Sequence, residues 1–130
     1  FFGQAVKVMG HYFVARDGSF ADRREVIKIL KKIKNGKAIF IAPEGTRNPD
    51  KELLEFKDGG FFISTKTKVN IVPMIIKGAD NVVMKNSLKI NPGTIVIKIL
   101  PEIEVEDFLS YDEPVSKLKD HVHSIFNNNI

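Results

Sequence analysis

Between two buried-looking segments the chain reads Pro43-Glu44-Gly45-Thr46-Arg47, a short stretch with four chemically distinct functions in a row. Gly45 permits positive φ or close approach of the backbone to a ligand. Thr46 offers a hydroxyl and a backbone N–H, and Arg47 offers a planar fork of donors that matches phosphate. Glu44 repels phosphate, so its role is to orient an arginine or to accept a proton-bearing group such as a substrate hydroxyl. Taken alone, these residues describe an anion site with an acidic partner. A surface turn carrying a structural Glu–Arg pair fits them equally well.

Placement favours a site. Lys37 to Ala42, immediately before, is a compact apolar run of the kind expected for a strand covered on both faces in a parallel sheet. Ligands of open α/β sheets gather at the carboxyl ends of such strands. Upstream, Phe20 to Lys34 repeats apolar residues at helical spacing through Val26, Ile29, Leu30 and Ile33, with Ser19 or Asp22 as cap and Asn35-Gly36 as stop. Lys28, Lys31, Lys32 and Lys34 fall largely off that stripe and read as a solvated face. Val8 to Arg16 reads as a short strand, so strand, helix and strand form a crossover unit.

Downstream, Phe56-Lys57-Asp58-Gly59-Gly60 leads into a helix expected over Gly60 to Thr67, and Asn70 to Ile76 reads as a buried strand. Pro73 lacks a backbone donor, so an edge, a bulge or an interrupted ladder is expected there. Asn91-Pro92-Gly93 is a turn, Thr94 to Leu100 a β-branched strand, and Pro101 its end. A final helix is expected from Ser110 or Asp112 to about Phe126, with Val115, Leu118, Val122 and Ile125 as its apolar stripe. The predicted class is α/β: a mostly parallel central sheet flanked by helices, incomplete at the N-terminus.

Composition sets the frame. The 130 residues suffice for one domain with one core. With 43% apolar and 28% charged residues, the chain is expected to fold. The net charge of +4 suits anionic substrates or an anionic membrane surface and is too small to argue for nucleic acid. The absence of cysteine excludes disulfides and thiolate metal sites. No apolar run approaches the roughly 20 residues that cross a bilayer. An opening of Phe1-Phe2-Gly3 without Met reads as a segment of a longer protein.

Four blocks, in order, resemble the family of 1-acylglycerol-3-phosphate and glycerol-3-phosphate acyltransferases. Ala42-Pro43-Glu44-Gly45-Thr46-Arg47 is similar to the family's Phe-Pro-Glu-Gly-Thr-Arg, with Ala for Phe. Gly10-His11-Tyr12-Phe13-Val14-Ala15-Arg16 is similar to Gly-x-x-Phe-Ile-x-Arg, and Ala15 stands where the family usually has Asp. Val69 to Pro73 looks like the later block with its Val-Pro step, and Phe56-Lys57-x-Gly59 completes the set. The resemblance covers Phe1 to Gly78.

It implies a glycerol-phosphate acyltransferase-like fold and transfer of an acyl chain from acyl-CoA or acyl carrier protein to a hydroxyl of lysophosphatidate or glycerol-3-phosphate. The thioester is a co-substrate; no cofactor or metal is implied, nor any nucleic-acid partner. Arg16 and Arg47 would hold the substrate phosphate. Gly10, Phe13, Pro43, Glu44, Gly45, Thr46 and Pro73 would line the pocket. The longer protein would sit at a membrane surface on the cytoplasmic side, with this segment itself soluble.

The resemblance also calls for a His-x-x-x-x-Asp pair as base and orienter, and this sequence has none. At that spacing His11 meets Arg16, His121 meets Phe126 and His123 meets Asn128. The expectation is that the pair lies upstream of Phe1 and that this segment is inactive alone. The alternative is a non-catalytic domain that binds anions or phospholipid headgroups. His121 and His123, two apart on a helix, read as surface or helix-end residues.

Overall fold

A computed structural model describes residues 20–46, 52–83 and 89–130. The expected strand at 8–16, the cap at Ser19, and Gly10, Phe13, Arg16 and Arg47 lie outside the described residues. The chain divides into two compact units, residues 1–40 and 41–130.

In the first unit, helix α1 spans Phe20–Lys34, the bounds read from the sequence. Ile29 is buried and Val26, Leu30 and Ile33 half-buried, while Lys28, Lys31, Lys32 and Lys34 are exposed. Gly36, at φ +75°, ends it. Lys37 N–H donates to the Lys32 carbonyl (3.1 Å) and Gly36 N–H to that of Ile33 (2.9 Å), which satisfies the last-turn carbonyls by the glycine C-cap.

In the second unit the elements run α2 (Asp58–Thr67), β1 (Met74–Lys77), a single turn α3 (Ala79–Val82), β2 (Val96–Ile99), a 3₁₀ turn (Val105–Phe108) and α4 (Pro114–Asn127). The core lies between α2, α4 and the 3₁₀ turn, and comprises Phe56, Phe61, Ile103, Val105, Leu118 and Val122. Leu118 and Val122 come from the stripe expected of the last helix, with Val115 and Ile125 packed beside them. That helix begins at Pro114, whose fixed φ suits its first turn, rather than at Ser110 or Asp112.

An exposed pair ties α2 to α4 from outside. Lys119 Nζ donates to Asp58 Oδ1 at 2.8 Å. That hydrogen bond, with the Asp58 charge, holds the ammonium above its ordinary 10.5. A raised lysine stabilises fully below its unfolded value and loses that contribution only as pH climbs through the folded one. The pair is therefore constant across the physiological range.

β1 and β2 pair antiparallel, Met74 opposite Ile99 and Lys77 opposite Val96. Pro73 continues the ladder only as an acceptor, its carbonyl taking the Leu100 N–H at 2.9 Å. Ile71 then bridges Ile103, so Val72 stands opposite both Pro101 and Glu102. This is a bulge, and two prolines without N–H explain its location. Gly78, at φ +83°, lies against the Thr94 carbonyl oxygen, where an added Cβ would overlap it.

The chain is α/β, as expected, but α2 starts at Asp58 rather than Gly60, and the strand expected to be buried over Asn70 to Ile76 is β1, Met74–Lys77, with only Ile75 buried in it. Two further elements depart more from the reading. Lys37 to Ala42 forms no strand, and Phe40 (69% exposed) and Ile41 (42%) face solvent. Among the described residues no strand lies alongside to supply ladder bonds, and a strand takes its hydrogen bonds from neighbours. β2 is exposed at all four residues, and the ladder it makes with β1 is antiparallel rather than parallel.

Candidate functional site

The second unit fixes Pro43 to Thr46 largely through backbone bonds. Gly45 N–H donates to the Ala42 carbonyl at 3.1 Å, closing a turn with Pro43 in its second position, where fixed φ is favoured. Gly45 itself has φ +69°. A side chain there costs about 1 kcal/mol or more, which accounts for glycine.

The turn is then tied to the segment before α2. Lys57 N–H donates to the Pro43 carbonyl at 2.8 Å. Leu54 N–H donates to Glu44 Oε2 at 3.3 Å. Between these two contacts sits Phe56, 2% exposed, held by Phe61, Phe126 and His123. The core thus reaches the loop through the segment 54–57, with Phe56 packed in the core and the Leu54 and Lys57 N–H groups bonded to the loop. The Phe56-Lys57-x-Gly59 block gains a physical reading: a ring in the core and a backbone donor for Pro43.

Gly60 sits close to the chain that enters the loop. A Cβ at that position would lie 3.4 Å from Ile41 Cγ2, so glycine in the first turn of α2 leaves room for the segment leading into the loop.

The geometry refines the role of Glu44. One carboxylate oxygen belongs to the loop's own framework, and the residue is half-buried. Replacing Glu44 with Ala should cost about 1 kcal/mol from the lost bond to Leu54. Glu44→Gln, which keeps a carbonyl acceptor, should retain most of that stability. Urea denaturation of both variants reads the difference, and equal losses would remove Glu44 from the framework.

Thr46 is exposed and directly precedes Arg47, so the turn ends on a hydroxyl open to solvent. Pro73 is buried in the second unit, at the bulge in the β1–β2 ladder. The described structure thus brings Pro43, Glu44, Gly45 and Thr46 together in one turn and places Pro73 in the sheet.

Sequence reasoning missed the backbone of Leu54 and Lys57. Neither leaves a side-chain signal, because the N–H does the work. His123 was read as a surface or helix-end residue, yet it is half-buried. Its Nε2 lies 3.3 Å from the Leu54 carbonyl, and its Nδ1 lies 3.3 Å from Asn127 Nδ2. Both nitrogens are engaged, so it supports the loop from behind. His121 is exposed beside the Phe108 ring.

An open hollow of about 640 Å³ lies on the same unit, lined by Leu100, Glu102, Asp107, Phe108, His121 and Ile125 among others. Its carboxylates disfavour phosphate, and its lining includes no residue of the Pro43 turn. The loop remains the candidate site.

Residues 1–77 match the profile of the family described as Acyltransferase. A 1-acyl-sn-glycerol-3-phosphate acyltransferase of Cocos nucifera is 29% identical over 126 residues, which is 96% of this chain and 40% of that protein. The enzyme of that name from Saccharomyces cerevisiae is 32% identical, over 82% of this chain and 36% of its own length. Among solved structures, the 1-acyl-sn-glycerophosphate (LPA) acyltransferase PlsC from Thermotoga maritima superposes with a TM-score of 0.72 at 28% identity. That match covers 85% of this chain and 49% of the other. The chain thus spans about half or less of the relatives it matches.

Proposed function

Since the chain belongs to the acyltransferase family, we propose that it is the acceptor-binding part of an enzyme that moves a fatty acyl group from a thioester to the free hydroxyl of lysophosphatidate. The observation that carries this is the Pro43–Thr46 turn. A buried ring and two backbone donors hold its shape, and Arg47 follows at once.

In this reading Arg47 binds the acceptor phosphate through its fork. Arg16, assigned by its block alone, has the same role, and Gly10 and Phe13 belong to the pocket on the same ground. Gly45 allows the backbone to approach the glycerol, and Thr46 supplies a hydroxyl. Pro73 shapes the pocket through the sheet. Holding the phosphate fixes the reacting hydroxyl, so binding energy remote from the bond being made is used for orientation.

Chemically, the hydroxyl oxygen attacks the thioester carbonyl, its proton passes to a base, and the thiol leaves. This chain lacks the His-x-x-x-x-Asp pair for that proton transfer, so the step is assigned to residues outside it. Acyl-CoA or acyl carrier protein is the donor, and glycerol-3-phosphate is the smaller acceptor of the same chemistry. The acceptor partitions into bilayers, which puts the working protein at a membrane surface; among the described residues no helix is long and apolar enough to cross one.

The test is acyl transfer by the full natural protein, comparing lysophosphatidate with monoacylglycerol, the same lipid without phosphate. Strong preference for the phosphorylated acceptor is expected. Phosphate-dependent binding without transfer would favour the headgroup-binding alternative, which the missing His-x-x-x-x-Asp pair keeps in play. Indifference to the phosphate would remove the assignment of the loop.

A further inference from the structure

His123 lies beyond residues 1–77, the part of the chain that matches the family profile. It follows the buried Val122 on α4, and its ring stands edge-on to Phe56 at 4.8 Å. Its Nε2 lies 3.3 Å from the Leu54 carbonyl oxygen. A carbonyl only accepts, so Nε2 carries the proton and donates it. Nδ1 is then an acceptor, and Asn127 Nδ2, one helical turn along at 3.3 Å, is its donor. These two bonds fix both the orientation and the tautomer of the ring.

Leu54 is where the first of them matters. Leu53 and Phe56 pack with the core, but the Leu54 side chain is 37% exposed. Packing therefore does little to place residue 54, and its backbone bonds do more. Its carbonyl accepts from His123, and its N–H donates to Glu44 Oε2 at 3.3 Å. A hydrogen bond of that length tolerates little further displacement. Loss of the His123 donor removes one of the two bonds that fix this residue, and the bond to Glu44 then weakens with it.

We propose that His123 is a positioning residue of the acceptor site. Through the Leu54 backbone it holds Glu44, and with Glu44 the Pro43–Thr46 turn that leads to Arg47. This deepens the lysolipid reading of the preceding subsection and rests on it. The imidazole touches no substrate in this role. Its Nε2 is committed to Leu54 and its Nδ1 to Asn127, so it does not stand in for the base that this chain lacks.

Steady-state acyl transfer by the full natural protein tests the assignment, with lysophosphatidate and the thioester donor varied in turn. His123→Phe keeps a ring against Phe56 and removes the hydrogen-bond donor. It should raise KM for lysophosphatidate about fivefold, the worth of one hydrogen bond, and leave KM for the thioester unchanged. His123→Gln, whose amide N–H can reach the Leu54 carbonyl, should restore most of the wild-type KM. A merely structural role would instead lower kcat through the folded fraction, with both KM values unchanged.

Urea midpoints of the same proteins check the link to Glu44. Glu44→Ala and His123→Phe act on one backbone residue, so the double variant should lose less than the two single losses together. Additive midpoints, an unchanged KM for lysophosphatidate in His123→Phe, or a His123→Gln variant as impaired as His123→Phe overturns the inference. Should the phenylalanine variant fail to fold, His123→Leu removes the same donor with a smaller side chain and takes its place beside His123→Gln. If the wild type prefers lysophosphatidate to monoacylglycerol and these results still fail, only the role of His123 falls. If the wild type shows no such preference, the acceptor reading itself falls.

Discussion

Replacing Phe56 with alanine is expected to cost about 4 kcal/mol of folding stability, the middle of the range for buried aromatics. The ring is 2% exposed and has three aromatic neighbours. It lies near-parallel to Phe61 at 6.1 Å, edge-on to Phe126 at 5.3 Å and edge-on to His123 at 4.8 Å. Alanine would leave a cavity walled by α2 and α4, which cannot close without disturbing the surrounding core of Phe61, Val105, Leu118 and Val122. Against a total of about 5–15 kcal/mol for a typical domain, the variant stands near the threshold of unfolding.

The consequence reaches the loop. Leu54 and Lys57, either side of Phe56, hold Glu44 and Pro43, so both contacts shift when the ring no longer fixes the chain between them. Phe56→Leu keeps most of the volume and should cost about 1–2 kcal/mol while retaining the loop. Urea denaturation gives the stabilities. Binding of glycerol-3-phosphate, compared between the two variants under conditions where each stays folded, gives the coupling. A cost under 1 kcal/mol for the alanine would show that Phe56 is not the anchor.

How far the sequence foretold this arrangement varied with what each element depends on. α1 was legible to the residue because its signals are local: a 3.6-residue apolar stripe and Asn35-Gly36 at the end. The interruption at Pro73 was legible because a missing N–H is a covalent fact; that Pro101 would join it in a bulge needed the register. Lys37 to Ala42 was misread because coverage on both faces belongs to the neighbours, not to the run itself.

The loop divides the same way. Glycine at 45 was legible from the turn chemistry, whereas the carboxylate at 44 reads from the sequence only as an orienter of arginine or an acceptor for a substrate hydroxyl. Its partner, the Leu54 backbone, was not legible, since any residue at 54 except proline carries that N–H. His123 was underestimated because helical periodicity alone sets it off the core stripe, whereas the Phe56 ring brings the core out to meet it.

In the full natural enzyme, Arg47→Ala is expected to lower kcat/KM for lysophosphatidate about 100-fold. A hydrogen bond between charged partners contributes about 1.5–3 kcal/mol, and 1.4 kcal/mol is a factor of ten. KM should rise because the phosphate loses a ligand. A fall in kcat as well would show that the lost contact also oriented the hydroxyl. Arg47→Lys should remain impaired, since an ammonium restores the charge without the paired donors.

The Pro43–Gly45 turn is closed by its own backbone and tied to Leu54 and Lys57 by bonds that Arg47→Ala does not remove. A urea midpoint close to that of the wild type is the expected control result for Arg47→Ala. That separates the expected result from unfolding. With monoacylglycerol as acceptor, which has no phosphate, wild type and Arg47→Ala should be equally slow. If the variant loses as much on that lipid as on lysophosphatidate, Arg47 acts on the donor or the fold, and the phosphate assignment falls.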